Sequence, residues 1–178
     1  MNKIFIYFIF LLPPLYLLYL ILVYFKTKVP HVATPKKYFP VIFENINITG
    51  QSVIYDLGCG NANFLFAAEK FSPKELIGFE LSPLHSSYAK IKAKILKSKI
   101  KIYRKDFFKA DIGSADIIYV FLVKPVVIKL WEKIKKEAKP GALIIVLSDK
   151  IPGVECEKIV KTNPRKEKGS HIYIYKKN

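Results

Sequence analysis

The pattern of hydrophobic and polar positions divides the chain into two parts. Residues 4–25 form a run of 22 residues without a charged side chain. After this run, short apolar segments alternate with longer segments in which apolar positions recur every three or four residues. Short buried strands alternating with amphipathic helices are typical of an α/β sheet that carries helices on both faces.

The second part of the chain has enough elements for one such sheet. The predicted strands cover residues 52–57, 75–80, 100–104, 116–123 and 142–148, with two further candidates at 155–161 and 171–176. The predicted helices cover residues 36–45, 61–71, 83–97 and 126–138. Thr34 followed by Pro35 is a typical helix start, so Thr34 is expected to cap the first of these helices.

The apolar run at the N-terminus predicts a transmembrane helix. As a helix, 22 residues would span about 33 Å, enough to cross the hydrocarbon core. A cleaved signal peptide is an alternative, but the run is long and no small-residue cleavage site follows it. A buried core helix is another, although it would need burial on every side. Lysines at positions 26, 28, 36 and 37 predict that the following domain is cytoplasmic.

These observations predict three segments: an anchor over residues 1–28 that crosses the membrane through residues 4–25, a connector with a short helix over 29–50, and a globular domain over 51–178. Hydrophobic residues make up 51% of the 178 residues, which excludes a disordered or collagen-like chain.

The charge is strongly positive, with 30 Lys and Arg residues against 14 Asp and Glu residues. Only Arg104 and Arg165 are arginines, whereas proteins that read nucleic acid specifically favour arginine. Three interpretations remain open: solvated lysine-rich faces, attraction to anionic lipid, and RNA binding. A nucleic-acid partner is the least expected. The spacing of the two cysteines, Cys59 and Cys156, is typical neither of a metal site nor of a disulfide framework, so no metal is expected.

A glycine-rich loop, Asp56-Leu57-Gly58-Cys59-Gly60-Asn61-Ala62-Asn63, lies between the first predicted strand and the following helix. Glycines at 58 and 60 permit a tight turn and a close approach of the backbone to a ligand. Ala62 stands where a third glycine is common, and a methyl group is expected to be tolerated at a helix start. The loop predicts a site for a nucleotide-like ligand.

Three acidic residues end three successive strands. Asp56 ends the first, and Glu80 ends the second, 20 residues after Gly60, where it can accept hydrogen bonds from ribose hydroxyls. Asp106 follows the third strand and could hold an exocyclic amine, with Phe107 stacking on the ring.

The order Asp-x-Gly-x-Gly followed by two strand-end acids resembles class I S-adenosylmethionine-dependent methyltransferases over residues 52–148. A dinucleotide oxidoreductase is the alternative, but its Gly-x-Gly-x-x-Gly spacing is missing here. The resemblance implies a Rossmann-like sheet and S-adenosylmethionine as cofactor. The residues that it assigns to the cofactor are Asp56, Leu57, Gly58, Cys59, Gly60, Glu80, Leu81, Asp106, Phe107 and Thr34.

A narrower resemblance rests on residues 29–35 (VPHVATP), the loop at 56–60 and residues 78–83 (GFELSP). These stretches are similar to membrane-anchored protein-lysine methyltransferases, whose mitochondrial members modify the ATP synthase c-subunit and the adenine nucleotide translocase. The family usually has Asp-Gly-Arg where this chain has residues 61–63 (NAN). The resemblance implies a lysine of a protein in or at the membrane as substrate.

The end of the fourth strand, residues 121–125 (FLVKP), is expected to border the methyl acceptor through Phe121 and Leu122, with Pro35 close by. It lacks the Asn/Asp-Pro-Pro-Tyr pattern of enzymes that modify amides or base amines. No catalytic residue is assigned, because methyl transfer obliges neither a histidine nor a second carboxylate. Methylation of a lipid, a quinone or another small molecule, and an inactive cofactor-binding scaffold, remain alternatives.

Side chains outside these motifs are expected to be structural. His31, His85 and His171 are scattered along the sequence and are expected to be ordinary surface or packing residues. Tyr55 and Trp131 are expected to lie in the core.

Overall fold

The computed structural model describes residues 3–27, 32–162 and 169–178, and in the first segment it describes side chains from residue 10 to residue 25. The chain divides into two compact units, Met1–Val32 and Ala33–Asn178. Val29, Pro30 and His31 of the predicted connector, and Arg165, lie outside the described residues.

The described part of the N-terminal unit forms helix α1 (Lys3–Thr27), with Pro13 and Pro14 inside it. Several of its large apolar side chains are exposed, among them Phe10 and Phe25. In the part of the chain that the structure describes, no helix is long and apolar enough to span a membrane, so the transmembrane helix expected for residues 4–25 is not confirmed.

The second unit is built on a seven-stranded sheet with the strand order β3-β2-β1-β4-β5-β7-β6. Strands β1 to β5 are mutually parallel, and β7 is antiparallel to β5 and β6. The strands are β1 (Val53–Leu57), β2 (Glu75–Phe79), β3 (Lys101–Tyr103), β4 (Ile117–Val120), β5 (Leu143–Leu147), β6 (Lys158–Lys161) and β7 (His171–Lys176). The order reverses between β1 and β4, where open α/β sheets bind ligands at the carboxyl ends of the strands.

Within the residues that the structure describes, four α-helices and three short 3₁₀ helices accompany the sheet. The α-helices are α2 (Phe39–Phe43), α3 (Asn63–Ala68), α4 (Pro83–Ile95) and α5 (Lys124–Glu137). The 3₁₀ helices are Lys36–Tyr38, Glu69–Phe71 and Phe107–Lys109.

Successive residues of a strand point to opposite faces of the sheet, and helices cover both faces. On one face, Ile54 and Tyr119 lie in a buried cluster with Phe43 of α2 and Phe64 of α3. On the other face, α5 buries Trp131, whose ring lies 5.4 Å from the ring of Tyr175. The predicted α/β Rossmann-like fold is therefore confirmed.

Several predicted boundaries shift for local reasons. The predicted helix at 36–45 is a 3₁₀ turn followed by α2, and Pro35 rather than Thr34 precedes it, so the capping role expected for Thr34 is wrong. The predicted helix at 61–71 begins at Asn63, because Ala62 has a left-handed backbone with φ of 57°. β4 ends at Val120, and α5 begins four residues later at Lys124.

Candidate functional site

Two backbone hydrogen bonds hold the glycine-rich loop at the carboxyl end of β2. The amides of Gly58 and Cys59 both donate to the carbonyl oxygen of Phe79, at 2.9 and 3.0 Å. Gly58 has φ of 88°, and a Cβ atom there would lie 2.9 Å from Cδ2 of Leu122. A side chain at Gly58 would therefore be strained and would collide with the segment after β4.

Gly78 of β2 and Cys59 of the glycine-rich loop pack tightly against each other, a contact that the sequence pattern does not predict. A Cβ atom on Gly78 would lie 2.7 Å from Sγ of Cys59 and 2.9 Å from Cδ1 of Leu65. Burial raises the pKa of the Cys59 thiol well above its usual value, so this side chain remains a neutral packing group. Cys59 thus belongs to the predicted cofactor loop through its backbone, while its sulfur fills the core beside β2.

Glu80 connects the loop with the start of α4. Its Oε2 accepts a hydrogen bond of 2.8 Å from the amide of Gly60, and its Oε1 accepts one of 2.7 Å from the amide of Ser82. A carboxylate oxygen has two lone pairs, so each oxygen can accept one further hydrogen bond. The side chain is therefore held in place with acceptor capacity left for the hydroxyl groups of a ligand.

Asp56 is buried next to Glu80, with only 3% of its surface exposed. Burial raises the pKa of its carboxyl group well above the ordinary value, and the negative charge of Glu80 raises it further. A buried carboxyl group beside a second, partly exposed one favours a ligand that brings a positive charge or several hydrogen-bond donors.

Tyr119 is a further residue at this site, and the apolar pattern of β4 does not distinguish it from the other residues of the strand. It is the register partner of Asp56 on the neighbouring strand. Its hydroxyl group lies 2.7 Å from the hydroxyl of Thr34, and its ring stacks on Phe64 with centroids 3.9 Å apart. Burial raises the pKa of Tyr119, and the charge of Asp56 adds to the effect, so the phenol stays protonated.

The remaining residues predicted to contact the cofactor occupy the same carboxyl edge of the sheet or its loops. Asp106 follows β3 and accepts a hydrogen bond of 2.9 Å from the amide of Phe108, which caps the 3₁₀ helix there. Phe107 is partly buried and its ring lies 4.7 Å from that of Phe108. The Leu57 side chain is fully buried, whereas Leu81 is partly exposed.

The two residues predicted to border the acceptor follow β4. Leu122 is buried against the glycine loop, and Phe121 is partly buried against the core. Pro35 accepts the amide hydrogen bond of Tyr38 at 2.9 Å, so it stabilises the turn that follows Thr34.

Asn61 adds an acceptor that the sequence analysis did not identify. Among the described residues, its Oδ1 is a buried oxygen atom without a hydrogen-bond partner. An orphaned acceptor within the glycine loop is the kind of group that a ligand donor or an ordered water satisfies. Together with Glu80 and Asp56, it fits a ligand that is rich in hydrogen-bond donors and carries a cationic centre.

The described residues contain no group of three or more His, Cys, Asp or Glu side chains that could hold a metal ion. Among the other residues discussed above, His85 is buried and His171 is partly buried. Tyr55 and Trp131 lie in the core as expected.

The strand order, the glycine loop after β1 and the acidic residue after β2 define a class I methyltransferase that depends on S-adenosylmethionine. The family model described as the ANTKMT methyltransferase domain matches residues 56–158. This chain belongs to that family.

Two curated relatives bear on the site. A protein-lysine N-methyltransferase from Saccharolobus islandicus is 28% identical over 150 residues, which cover 83% of this chain and 92% of the relative. A ribosomal protein L11 methyltransferase from Thermoanaerobacter pseudethanolicus is 24% identical over 96 residues, covering 53% of this chain but only 31% of the relative.

Solved structures share the fold. An RNA methyltransferase from Salinibacter ruber, in complex with S-adenosyl-L-homocysteine, superposes with a TM-score of 0.73 at 23% identity, covering 82% of this chain and 93% of the other. A tRNA (m1A58) methyltransferase from Aquifex aeolicus gives a TM-score of 0.66 at 15% identity, covering 82% and 70%. At these identities the likeness concerns the fold alone.

Proposed function

We propose that this methyltransferase modifies lysine side chains of proteins. The observation that carries the proposal is the relative from Saccharolobus islandicus, a protein-lysine N-methyltransferase that matches over 92% of its own length. The ribosomal protein L11 methyltransferases are also named for a protein substrate, although this chain spans only about a third of their length.

The residues at the carboxyl edge of the sheet would hold the cofactor. Glu80 would accept hydrogen bonds from the ribose, and Asp106 and Phe107 would contact the adenine. Asp56 and the loop at residues 57–60 would face the methionine part, with Leu81 and Thr34 at its borders. When bound, S-adenosylmethionine supplies an activated methyl group on a sulfonium centre.

The surroundings of the acceptor suit a lysine. A lysine must lose a proton before it can act as a nucleophile, and a buried apolar setting disfavours the ammonium form. Tyr119 and Leu122 are buried at the end of β4, and Phe121 is partly buried. The segment offers no carboxamide of the kind that amide- and base-modifying enzymes place there. The role of these side chains would be to exclude water and to position the amine.

The experiment is methyl transfer from labelled S-adenosylmethionine by the full chain onto cell fractions, followed by identification of the labelled residue. We expect label on lysines of protein, and we expect it to fall by at least tenfold in Glu80→Ala, because a hydrogen bond to a charged group contributes about 1.5–3 kcal/mol. Glu75→Ala is the matched control, since Glu75 lies at the opposite end of β2 in an exposed ion pair with Lys101.

Extraction of lipid and of RNA from the labelled cell fractions separates the alternative substrates. Label that follows the lipid extract would replace the lysine proposal with a lipid or quinone substrate, and label in RNA would replace it with a nucleic-acid substrate. Binding of S-adenosylmethionine without transfer to any fraction would favour an inactive scaffold.

We also propose, from the sequence, that residues 4–25 anchor the enzyme in a membrane with its catalytic unit on the cytoplasmic side, and that the substrate is a protein in or at that membrane. The support is the run of 22 uncharged residues and the lysines that follow it.

The full chain should resist extraction by alkaline carbonate, and Leu15→Lys with Leu18→Lys should release it. Protection of Cys156 from a membrane-impermeant thiol reagent in intact cells would support the orientation; its labelling there would contradict it.

A further inference from the structure

Helix α4 has an unusual distribution of side chains. The face that packs onto the sheet carries small or polar residues, with His85, Ser86, Ala89 and Ala93 buried. The opposite face carries large apolar residues: Tyr88 is 53% exposed, Ile91 60% and Ile95 73%, and Leu96 directly after the helix is 58% exposed. A surface helix normally shows the reverse pattern.

Three of these exposed residues form a stripe along the helix. Ile91 and Ile95 follow Tyr88 by three and seven residues, so the three side chains lie on the same side of a helix that turns once every 3.6 residues. We refer to Tyr88, Ile91, Ile95 and Leu96 as the apolar stripe of α4. Contiguous exposed apolar surface of this kind marks a place where another surface docks.

Lysines border the stripe on both sides. From the helical spacing, Lys92 lies along one edge, and Lys90 and Lys94 lie along the other. Lys90 and Lys94 are exposed, while the Nζ atom of Lys92 lies 4.2 Å from the ring centre of Phe66. Lys97 and Lys99 extend the positive charge beyond the helix.

Acidic residues hardly reduce this charge. The sequence of α4 contains no Asp or Glu. Glu69 approaches the segment after the helix, where its Oε1 accepts hydrogen bonds from the Ser98 hydroxyl and the Lys99 amide. The surface thus combines large apolar side chains with positive charge on both flanks.

We propose that the apolar stripe of α4 docks into the headgroup region of an anionic lipid bilayer. An apolar helix face flanked by lysines is the pattern of helices that lie in the membrane interface. The aliphatic stems of lysine can follow the apolar side chains while the ammonium groups reach lipid phosphates. Each lysine near such a surface favours docking by roughly fivefold, from about 1 kcal/mol per basic residue.

Other partners fit this surface less well. Protein interfaces are depleted in lysine and enriched in arginine, and this surface has lysine only. Nucleic-acid interfaces are polar and use arginine and aromatic stacking, whereas this surface has no arginine and three of its four apolar residues, Ile91, Ile95 and Leu96, are aliphatic.

Docking along α4 would bring the bilayer close to the cofactor site. The helix begins at Pro83, directly after Ser82, whose amide is bound by Glu80 at 2.7 Å. The same short segment therefore joins the cofactor-binding carboxylate to the docking helix.

The experiment places an environment-sensitive fluorophore on Ile91→Cys in the full chain, in a Cys156→Ser background that leaves only the buried Cys59. The protein is studied with vesicles of phosphatidylcholine alone and of phosphatidylcholine with an equal amount of phosphatidylglycerol. We expect a blue shift and quenching by lipid-attached quenchers in the anionic vesicles only. The matched control is the label on Ile128→Cys, which is 41% exposed on α5, on the other face of the sheet, and should not respond.

A second set of variants tests the contribution of charge. Lys90→Gln, Lys94→Gln and Lys97→Gln together should weaken docking of the Ile91 label by at least tenfold, at roughly fivefold for each lysine. All three side chains are exposed, so the melting temperature should stay unchanged and show that the variant folds.

Four results would overturn the proposal. They are an Ile91 label that never responds, an equal response in neutral vesicles, a response that depends on protein concentration without lipid, and a response to RNA without lipid. The third would assign the stripe to a second copy of the chain, and the fourth to nucleic acid.

Discussion

The hydroxyl group of Thr34 lies 2.7 Å from the hydroxyl group of Tyr119, a residue 85 positions later in the sequence. This hydrogen bond attaches the segment before the 3₁₀ turn at Lys36–Tyr38 to the middle of the sheet, next to the buried carboxyl group of Asp56. It also explains why a threonine that resembles a helix cap does not cap the helix.

Removing this hydrogen bond should weaken both folding and cofactor binding. Thr34→Val and Tyr119→Phe keep the shapes of the side chains, and Tyr119→Phe keeps the stacking on Phe64. A double-mutant cycle measured by denaturant unfolding should give a coupling of about 1 kcal/mol. Calorimetry should show weaker binding of S-adenosylmethionine in each variant.

The control pair lies elsewhere on the sheet. The hydroxyl groups of Tyr55 and Ser114 are also 2.7 Å apart. Tyr55→Phe and Ser114→Ala should lower stability without changing cofactor affinity. Equal effects of the two pairs on affinity would show that the Thr34 bond has no special relation to the site.

Asp56→Asn should stabilise the free protein and weaken cofactor binding. A carboxyl group with a raised pKa in the folded state costs stability once it ionises, so the cost appears as the pH rises from the ordinary carboxyl value towards the raised pKa. The amide cannot ionise and avoids this cost. We expect the melting temperature of the variant to exceed that of the wild type near neutral pH by a few degrees, at about 2–4 °C for each kcal/mol.

The same comparison at acidic pH tests the direction of the pKa shift of Asp56. The advantage of Asp56→Asn should shrink as the pH falls, because the wild-type carboxyl group then becomes protonated. Affinity for S-adenosylmethionine at neutral pH should fall by about tenfold, as expected for loss of a charged hydrogen-bond partner. Asp111→Asn, at an exposed loop position, should change neither quantity. An advantage that grows at low pH would contradict the raised pKa.

Glu80→Gln should disturb the site even though it preserves the shape of the side chain. Both carboxylate oxygens accept backbone amides, from Gly60 and Ser82. A carboxamide has one acceptor oxygen, so its amino group must face one of these two donors. We expect a loss of about 1–3 kcal/mol in the free energy of unfolding, measured with denaturant.

Cofactor binding separates this variant from an ordinary surface change. Glu80→Gln should weaken S-adenosylmethionine binding by tenfold or more, whereas Glu75→Gln should have little effect, since its ion pair with Lys101 is exposed. Unchanged affinity in Glu80→Gln would mean that Glu80 organises the loop without contacting the ribose.

The sheet could be predicted from the sequence because each strand carries its own signal. Buried parallel strands appear as short apolar runs, and β1, β2 and β5 lie within one residue of their predicted bounds. Asp56 and Glu80 could be placed at one edge because parallel strands of this fold end at the same side.

Contacts between distant segments could not be predicted in this way. Tyr119 looks like one more apolar residue of a buried strand, and only the path of the chain brings Thr34 to its hydroxyl group. The backbone conformation of Ala62 could not be predicted either. Its φ of 57° shows that the position is left-handed, so the alanine is tolerated against its conformational preference rather than as an ordinary helix start.

Gly78 belongs to the GFELSP motif, and the packing around it requires that it has no side chain. A Cβ atom there would meet Sγ of Cys59, Cδ1 of Leu65 and Cδ1 of Ile102 at 2.7 to 3.0 Å. Overpacking of this kind costs about 1–3 kcal/mol, so Gly78→Ala should lower the midpoint of denaturant unfolding clearly.

The overpacking should also reach the glycine loop, because Cys59 belongs to both. We expect Gly78→Ala to weaken S-adenosylmethionine binding, and Cys59→Ala in the same chain should partly restore both stability and affinity by removing the sulfur that the new methyl group contacts. Gly50→Ala is the control, since a Cβ atom there meets nothing closer than 3.8 Å. If the double variant lost the sum of the stabilities lost by Gly78→Ala and Cys59→Ala alone, the two side chains would not be in conflict, which would contradict the proposed overpacking.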